Sequence, residues 1–224
     1  MEMLDYKRIG DCFAYLQSRG GIVQLDTQGR SIMSNGTCKS FYRETIRKIN
    51  AYDALAGAKN DLFDCQVALV PMGIDEILLY ENREKIAAFL EKGGILLSFT
   101  QNCKEWLAGN SLYIASQTPI RMREVRTCGH EITHGVKDYD INYRRGVKGF
   151  FSRGYFLPPP NACVFLKDSD GQCVAYIDRQ STKGVIVCTA GADLLGYGLY
   201  ESSTAKRMGL NLMLWIAKVL KEKE

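Results

Sequence analysis

The chain has 224 residues, of which 46% are hydrophobic and 24% charged, with a formal net charge of +4. Such values suit one soluble α/β domain with a sizeable core, and the charge is too small to imply nucleic acid as a partner. No apolar run reaches the about 18 residues of a membrane helix, and "MEMLDYKRIGDCFAYLQSR" at the start has no export-signal core, so a cytoplasmic location without a membrane partner is expected.

Along the chain, "GIVQLD" (21–26) predicts a strand. "TCKSFYRETIRKINAY" (37–52) predicts a helix, with Phe41, Ile46 and Ile49 at roughly helical spacing. "QVALV" (66–70), "GILLSF" (94–99) and "GVIVCTA" (184–190) are continuous rather than alternating, as expected of parallel strands covered on both faces. Between the first two, "DEILLYENREKIAAFLEKGG" predicts a helix with Ile86, Phe89 and Leu90 on one face and a stop at Gly93-Gly94. The stretch from about 110 to 160 predicts only irregular strands and a long loop through "YRRGVKGFFSRGYFLPPP". "NACVFLKDSDGQCVAYID" reads as a hairpin turning at Asp168-Ser169-Asp170-Gly171. The last helix, "STAKRMGLNLMLWIAKVLKEKE", carries Met208, Leu212, Trp215 and Val219 on one stripe. The alternation gives a three-layer α/β/α domain with a mostly parallel central sheet and a late β-hairpin.

Eight cysteines include no C-x-x-C pair, and several sit in apolar runs, so reduced, packed thiols are expected. Between Pro119 and Gly154, eight basic residues (Arg121, Arg123, Arg126, Lys137, Arg144, Arg145, Lys148, Arg153) face four acids, Glu124, Glu131, Asp138 and Asp140. That excess reads as a solvated surface or as a site for an anion.

The chain's two histidines fall in His130-Glu131-Ile132-Thr133-His134, a match to the zinc-protease pattern H-E-x-x-H. In that chemistry both imidazoles lie one helical turn apart on a shared metal. Here β-branched Ile132 and Thr133 stand between Gly129 and Gly135, which leaves no room for a stable helix, and no third ligand follows nearby. A zinc hydrolase through His130, Glu131 and His134 is therefore the remotest of the readings, and neither a metal nor a cofactor is expected.

Read without the zinc template, "HEITHGV" resembles the H-P-I-T-x-G-L segment of the ThuA-like branch of the class I glutamine amidotransferase-like superfamily. "FDCQVALVPMGIDE" is similar to that fold's strand and Pro-Gly turn, "ENREKIAAFLEKGGILLSF" to its helix and elbow strand, and "GVIVCTAGAD" to its closing strand. The resemblance covers roughly residues 60 to 220. It implies a flavodoxin-like fold and a single amidotransferase-like domain over 1–224.

The resemblance also sets a test of chemistry. Glutaminases of this superfamily need a cysteine on the strand-to-helix elbow and a histidine with an acid near the closing strand. Here the elbow is expected at Phe99 or Thr100, Cys103 comes late, and no histidine follows His134. The expectation is a non-catalytic or divergent amidotransferase-like domain that binds a small ligand, anionic or not, or a protein partner; self-association is left open. Its ligand site is expected where the strand ends bring Met72, Gly73, Asp75, Thr100, Gln101, Asn102, Gly191 and Asp193 together, with His130 approaching the same edge. The alternative is a hydrolase or transferase using Cys103 or Thr100 with His130 and Asp193.

Overall fold

The apolar runs become strands because both of their faces are covered. The structure, a computed structural model, describes residues 5–27, 42–56, 64–143, 153–197 and 202–224. In chain order its first elements are α1 (Tyr6–Ser18), β1 (Ile22–Asp26), β2 (Ile46–Asn50), α2 (Ala51–Ala56), β3 (Val67–Val70), α3 (Glu76–Glu81), α4 (Arg83–Glu91) and β4 (Ile95–Ser98). There follow β5 (Ile114–Ala115), β6 (Val125–Thr127), α5 (Asp138–Asn142), β7 (Gly154–Tyr155), β8 (Cys163–Asp168), β9 (Cys173–Asp178), β10 (Val185–Thr189) and α6 (Arg207–Lys221). Every residue of β3, β4, β9 and β10 is buried. Alternate residues of a strand point to opposite faces, so unbroken burial requires cover on both.

Eight strands form one sheet in the order β2-β1-β3-β4-β10-β9-β8-β6, and β5 pairs with β7 apart from it. The first five lie parallel, in the order expected of a flavodoxin-like, three-layer domain. From β10 onward each pairing is antiparallel, so β8 runs with the parallel set while β9 and β6 run against it. The hairpin β8–β9 turns where the sequence places it. The Asp168 carboxylate accepts from the N–H groups of Asp170 (3.0 Å) and Gln172 (2.8 Å), and Gly171 takes a positive φ of 79°.

The helix expected over 37–52 is corrected. Residues 37–41 lie outside the described ones, and Ile46–Asn50 is a strand paired in parallel with β1. An interval of three satisfies a helical stripe, yet in a strand it sends Ile46 and Ile49 to opposite faces, where Ile46 is buried and Ile49 half-buried. Partner backbone from β1 decides between the two. The helix expected over 75–94 is broken in two at Asn82, whose side chain donates to the Leu78 carbonyl at 3.0 Å and competes with the backbone for it. The expected face survives: Ile86, Phe89 and Leu90 are buried, as is the stripe of α6.

β6 closes the sheet at its far edge, and side chains satisfy its outward backbone. The Asn142 Oδ1 accepts from the N–H of Val125 (2.8 Å), and the Asn142 Nδ2 donates to the carbonyl of the same residue (2.9 Å). Asp138 accepts from the N–H of Thr127 at 3.0 Å. Removing Asn142 leaves two buried backbone groups without partners, at about 1–3 kcal/mol each. We therefore expect Asn142→Ala to lower the urea midpoint of unfolding markedly with little change in slope; a midpoint equal to that of the wild type would contradict this account of the edge.

Candidate functional site

The C-terminal ends of β3, β4 and β10 lie at one edge because those strands are parallel and in register. Gly73, Asp75, Thr100, Gln101 and Asp193 all follow those ends, so the structure brings these five to a common edge. Most of their polar atoms are already engaged. Asp75 caps α3 through the N–H groups of Ile77 (2.9 Å) and Leu78 (3.3 Å), and it accepts from the Tyr52 hydroxyl at 2.8 Å. That last bond leads in holding its carboxyl below the usual range. The Asp75 N–H donates to Thr27 Oγ1 at 3.0 Å, which ties the ends of β1 and β3 together. Asp193 accepts from the Leu195 N–H at 2.9 Å. Gln101 lies against Gly191, where a Cβ would meet its Cγ at 2.8 Å. At the same edge, a cavity of about 340 Å³ lies over β1 and β2, lined by Asp26, Thr27, Lys48, Ile49, Asn50 and Tyr52. There Lys48 pairs with Asp26 at 3.1 Å.

The turn after β4 decides the chemistry of this edge. Its left-handed residue is Asn102 (φ 51°), beyond the expected Phe99 or Thr100. Asn102 is fully buried, accepts from Ser98 Oγ at 2.9 Å and donates to Cys188 Sγ at 3.2 Å. The Cys188 thiol, pushed up to about 12 by burial, donates to Asn110 Oδ1 at 3.7 Å, and the Tyr176 hydroxyl donates to the same oxygen. No helix follows this turn. Residues 103–113 cross the sheet irregularly, burying Trp106 and Leu107 and setting Gly109 against Asp178 and Ser181. Cys103 is exposed and has no helix N-terminus behind it. Glu76 accepts from Thr100 Oγ1 (3.0 Å) and the Lys104 N–H (3.1 Å); partial burial, and after it the nearby Glu76 carboxylate, raises the Cys103 pKa.

His130 does not join this edge, and the expectation that it would is corrected. β6 runs against the parallel strands, so the chain leaves it toward their N-terminal ends. There the His130 ring packs on Phe165 and Trp215, with centroids 5.9 and 6.1 Å away. A dyad with Cys103 or Thr100 is therefore not formed. Glu131–Thr133 is a 3-10 turn rather than an α-helix, and His130 caps it, its Nδ1 accepting from the Ile132 N–H at 3.1 Å. Glu131 pairs with Lys218 at 2.6 Å.

The remaining residues of the segment also have structural work. Ile132 is fully buried, Thr133 Oγ1 donates to the His130 carbonyl at 2.9 Å, and Gly135 takes a φ of 70° beside Arg207. Asn211 of α6 donates to the carbonyls of Ile132 (3.1 Å) and His134 (2.9 Å). His134 itself is exposed. The segment borders a cavity of about 530 Å³ that sequence reasoning did not anticipate, because Arg8 and Lys218 come to it from the two ends of the chain. Of the basic residues of 119–154, Arg144, Arg145 and Lys148 lie outside the described residues, and Arg123 is bonded to the carbonyls of Ser116 and Thr118.

No protein-family model and no curated protein matches the sequence. Solved structures do match the fold. A cytoplasmic protein from Salmonella typhimurium aligns with a TM-score of 0.57 at 9% identity, over 90% of this chain and 98% of its own. A second Salmonella typhimurium cytoplasmic protein gives 0.55 at 10%, over 87% and 99%. A candidate GMP synthase subunit from Thermoplasma acidophilum gives 0.54 at 10%, over 91% and 98%. At these identities the likeness is one of fold, a mostly parallel α/β sheet flanked by helices. No helix among the described residues is long and apolar enough to cross a membrane.

Two outcomes follow from the local chemistry. Iodoacetamide should label Cys103 at neutral pH no faster than exposed Cys128, and Glu76→Gln should speed Cys103 by about two- to fivefold by removing the nearby carboxylate. Peptide-resolved mass spectrometry measures both, and selective labelling of Cys103 in the wild type would contradict the assignment.

Burial, reinforced by Arg179 and Lys218 against the opposing Glu131, holds His130 below its ordinary pKa. A depressed histidine binds its proton more weakly folded than unfolded. Its contribution to stability is therefore complete above the unfolded value near 6.5 and is lost as pH falls from there toward the folded value. His130→Asn, which keeps an acceptor for the Ile132 N–H, should flatten urea midpoints between about pH 7 and pH 5 relative to wild type.

Proposed function

We propose that this chain is an amidotransferase-like domain that has lost the glutaminase reaction and acts by binding, taking a small ligand or a protein partner at the C-terminal edge of its parallel strands. The observation that carries this reading is Asn102. A glutaminase needs a reactive cysteine at its elbow, backed by a helix and faced by a histidine. Here the left-handed position after β4 holds a buried asparagine hydrogen-bonded to Ser98 and Cys188. The following segment is irregular, and His130 packs at the opposite end of the sheet. The fold shared with a candidate GMP synthase component supports the superfamily, and the resemblance of "HEITHGV" supports its ThuA-like branch.

The binding edge is favoured by topology. Strand order reverses at β1, with β2 on one side and β3 on the other, and open α/β sheets bind ligands at such reversals. Gly73, Asp75, Thr100, Gln101 and Asp193 border that edge, and the cavity over β1 and β2 opens beside Asp75 through Tyr52. A cytoplasmic setting agrees with the two Salmonella proteins of like fold.

The test is ammonia release from glutamine, with mass spectrometry of molecules retained by the purified protein. The expected result is no glutamine-dependent ammonia above that of Cys103→Ala, together with a retained ligand that is lost on substitution of Gln101 or Tyr52. Turnover of glutamine that disappears in Cys103→Ala would overturn the proposal.

A further inference from the structure

The cavity beside the histidine segment has the composition of a site in its own right. Its volume of about 530 Å³ is in the range of small-molecule pockets. Half-buried Leu214 and the small exposed part of Trp215, whose ring also lies under the Arg179 guanidinium, give it an apolar floor. Arg8, His134 and Lys218 reach its wall from three separate parts of the chain. Two cations, Arg8 and Lys218, face one lining carboxylate, Glu131, so the lysine, arginine and carboxylate groups of the wall sum to one excess positive charge. Glu131 is already paired with Lys218 at 2.6 Å, while Arg8 forms no ion pair among the described residues.

The histidine adds a donor whose orientation is set by the fold. Because Nδ1 of His130 accepts from the Ile132 N–H, the neutral ring carries its proton on Nε2. The ring borders this cavity and a smaller one of about 190 Å³ lined by Asn161, Cys163, Ile177 and Arg179. Nε2–H is thus the polar edge left for a ligand. Asn211 holds the opposite wall in place by donating to the carbonyls of Ile132 and His134, so the cavity is built on the rigid α6 rather than on a loop alone.

From these placements we propose that the cavity between the 129–135 segment and α6 binds a small organic anion, with its carboxylate or phosphate at Arg8 and its apolar body on Trp215 and Leu214. A guanidinium can hold either oxyanion through two parallel hydrogen bonds. The site lies toward the other end of the strands from the edge invoked above and does not depend on the loss of glutaminase chemistry.

The test is a calorimetric titration of the full chain with benzoate, phenyl phosphate and, as the cationic counterpart, benzamidine, each up to about 10 mM. A ¹H–¹⁵N spectrum of the two tryptophan indoles reports the location of binding. Benzoate or phenyl phosphate should bind and shift the Trp215 indole signal, and benzamidine should not. Arg8→Gln should weaken the anion about tenfold or more, and Glu131→Gln should tighten it about two- to fivefold by removing the lining carboxylate. Gln101→Ala should leave it unchanged. Failure of both anions to bind overturns the proposal. So does equal binding of benzamidine, indifference to Arg8→Gln, or a loss of binding in Gln101→Ala, which would move the ligand to the strand-end edge.

Discussion

The burial of α6 against the rest of the chain is the interaction on which the other features stand. Met208, Leu212, Met213, Trp215, Ile216 and Val219 are all buried along it, and each side chain of this size removed from water contributes about 1.5–3 kcal/mol. That helix packs on α1 and supports the 3-10 turn after β6. Just ahead of it, Thr204 donates to the buried carboxylate of Asp140 through both its N–H (2.8 Å) and its hydroxyl. The segment from 128 to 137 has few backbone bonds beyond its own turns. Its shape is held by Ile132 beneath it and by Asn211 and Lys218 beside it. Terminal helix and irregular middle therefore form one unit.

Much of the fold was legible because it rests on patterns that local sequence carries. Continuous apolar runs marked β1, β3, β4 and β10, and the Asp168-Ser169-Asp170-Gly171 turn marked the hairpin. β2 was misread because Ile46 and Ile49 fit two periods, and only the neighbouring strand chooses between them. The site was less legible for a related reason. The types and order of Gly73, Asp75, Thr100, Gln101 and Asp193 were visible along the chain, and parallel pairing gathers them. The place of His130 depends on the direction of β6, which is set by pairing with β8 some 40 residues later and leaves no trace in "EVRTCGH". Arg8 and Lys218 were invisible as partners since no motif links them.

The same architecture can hold or lose a reaction through a few polar contacts. At the turn after β4, the left-handed residue is Asn102, and a short buried hydrogen-bonded chain runs from Ser98 through Asn102 and Cys188 to Asn110 and Tyr176. A satisfied buried network of this kind rigidifies the ends of β4, β9 and β10 together. It also isolates Cys188 from solvent oxidants, whereas Cys103, Cys128 and Cys163 remain open to them.

The side chains that close β6 have a consequence for how copies of this protein meet. An unpaired strand edge is the usual template by which one sheet recruits another, and long, flat edges invite such growth. Here a strand of three residues already has Asn142 and Asp138 standing in for the next strand's backbone. A newcomer would have to displace bonds of 2.8–3.0 Å to dock there and would gain little length in return. Continuation of the sheet from this side is thereby disfavoured, which turns assembly of the chain toward its other surfaces.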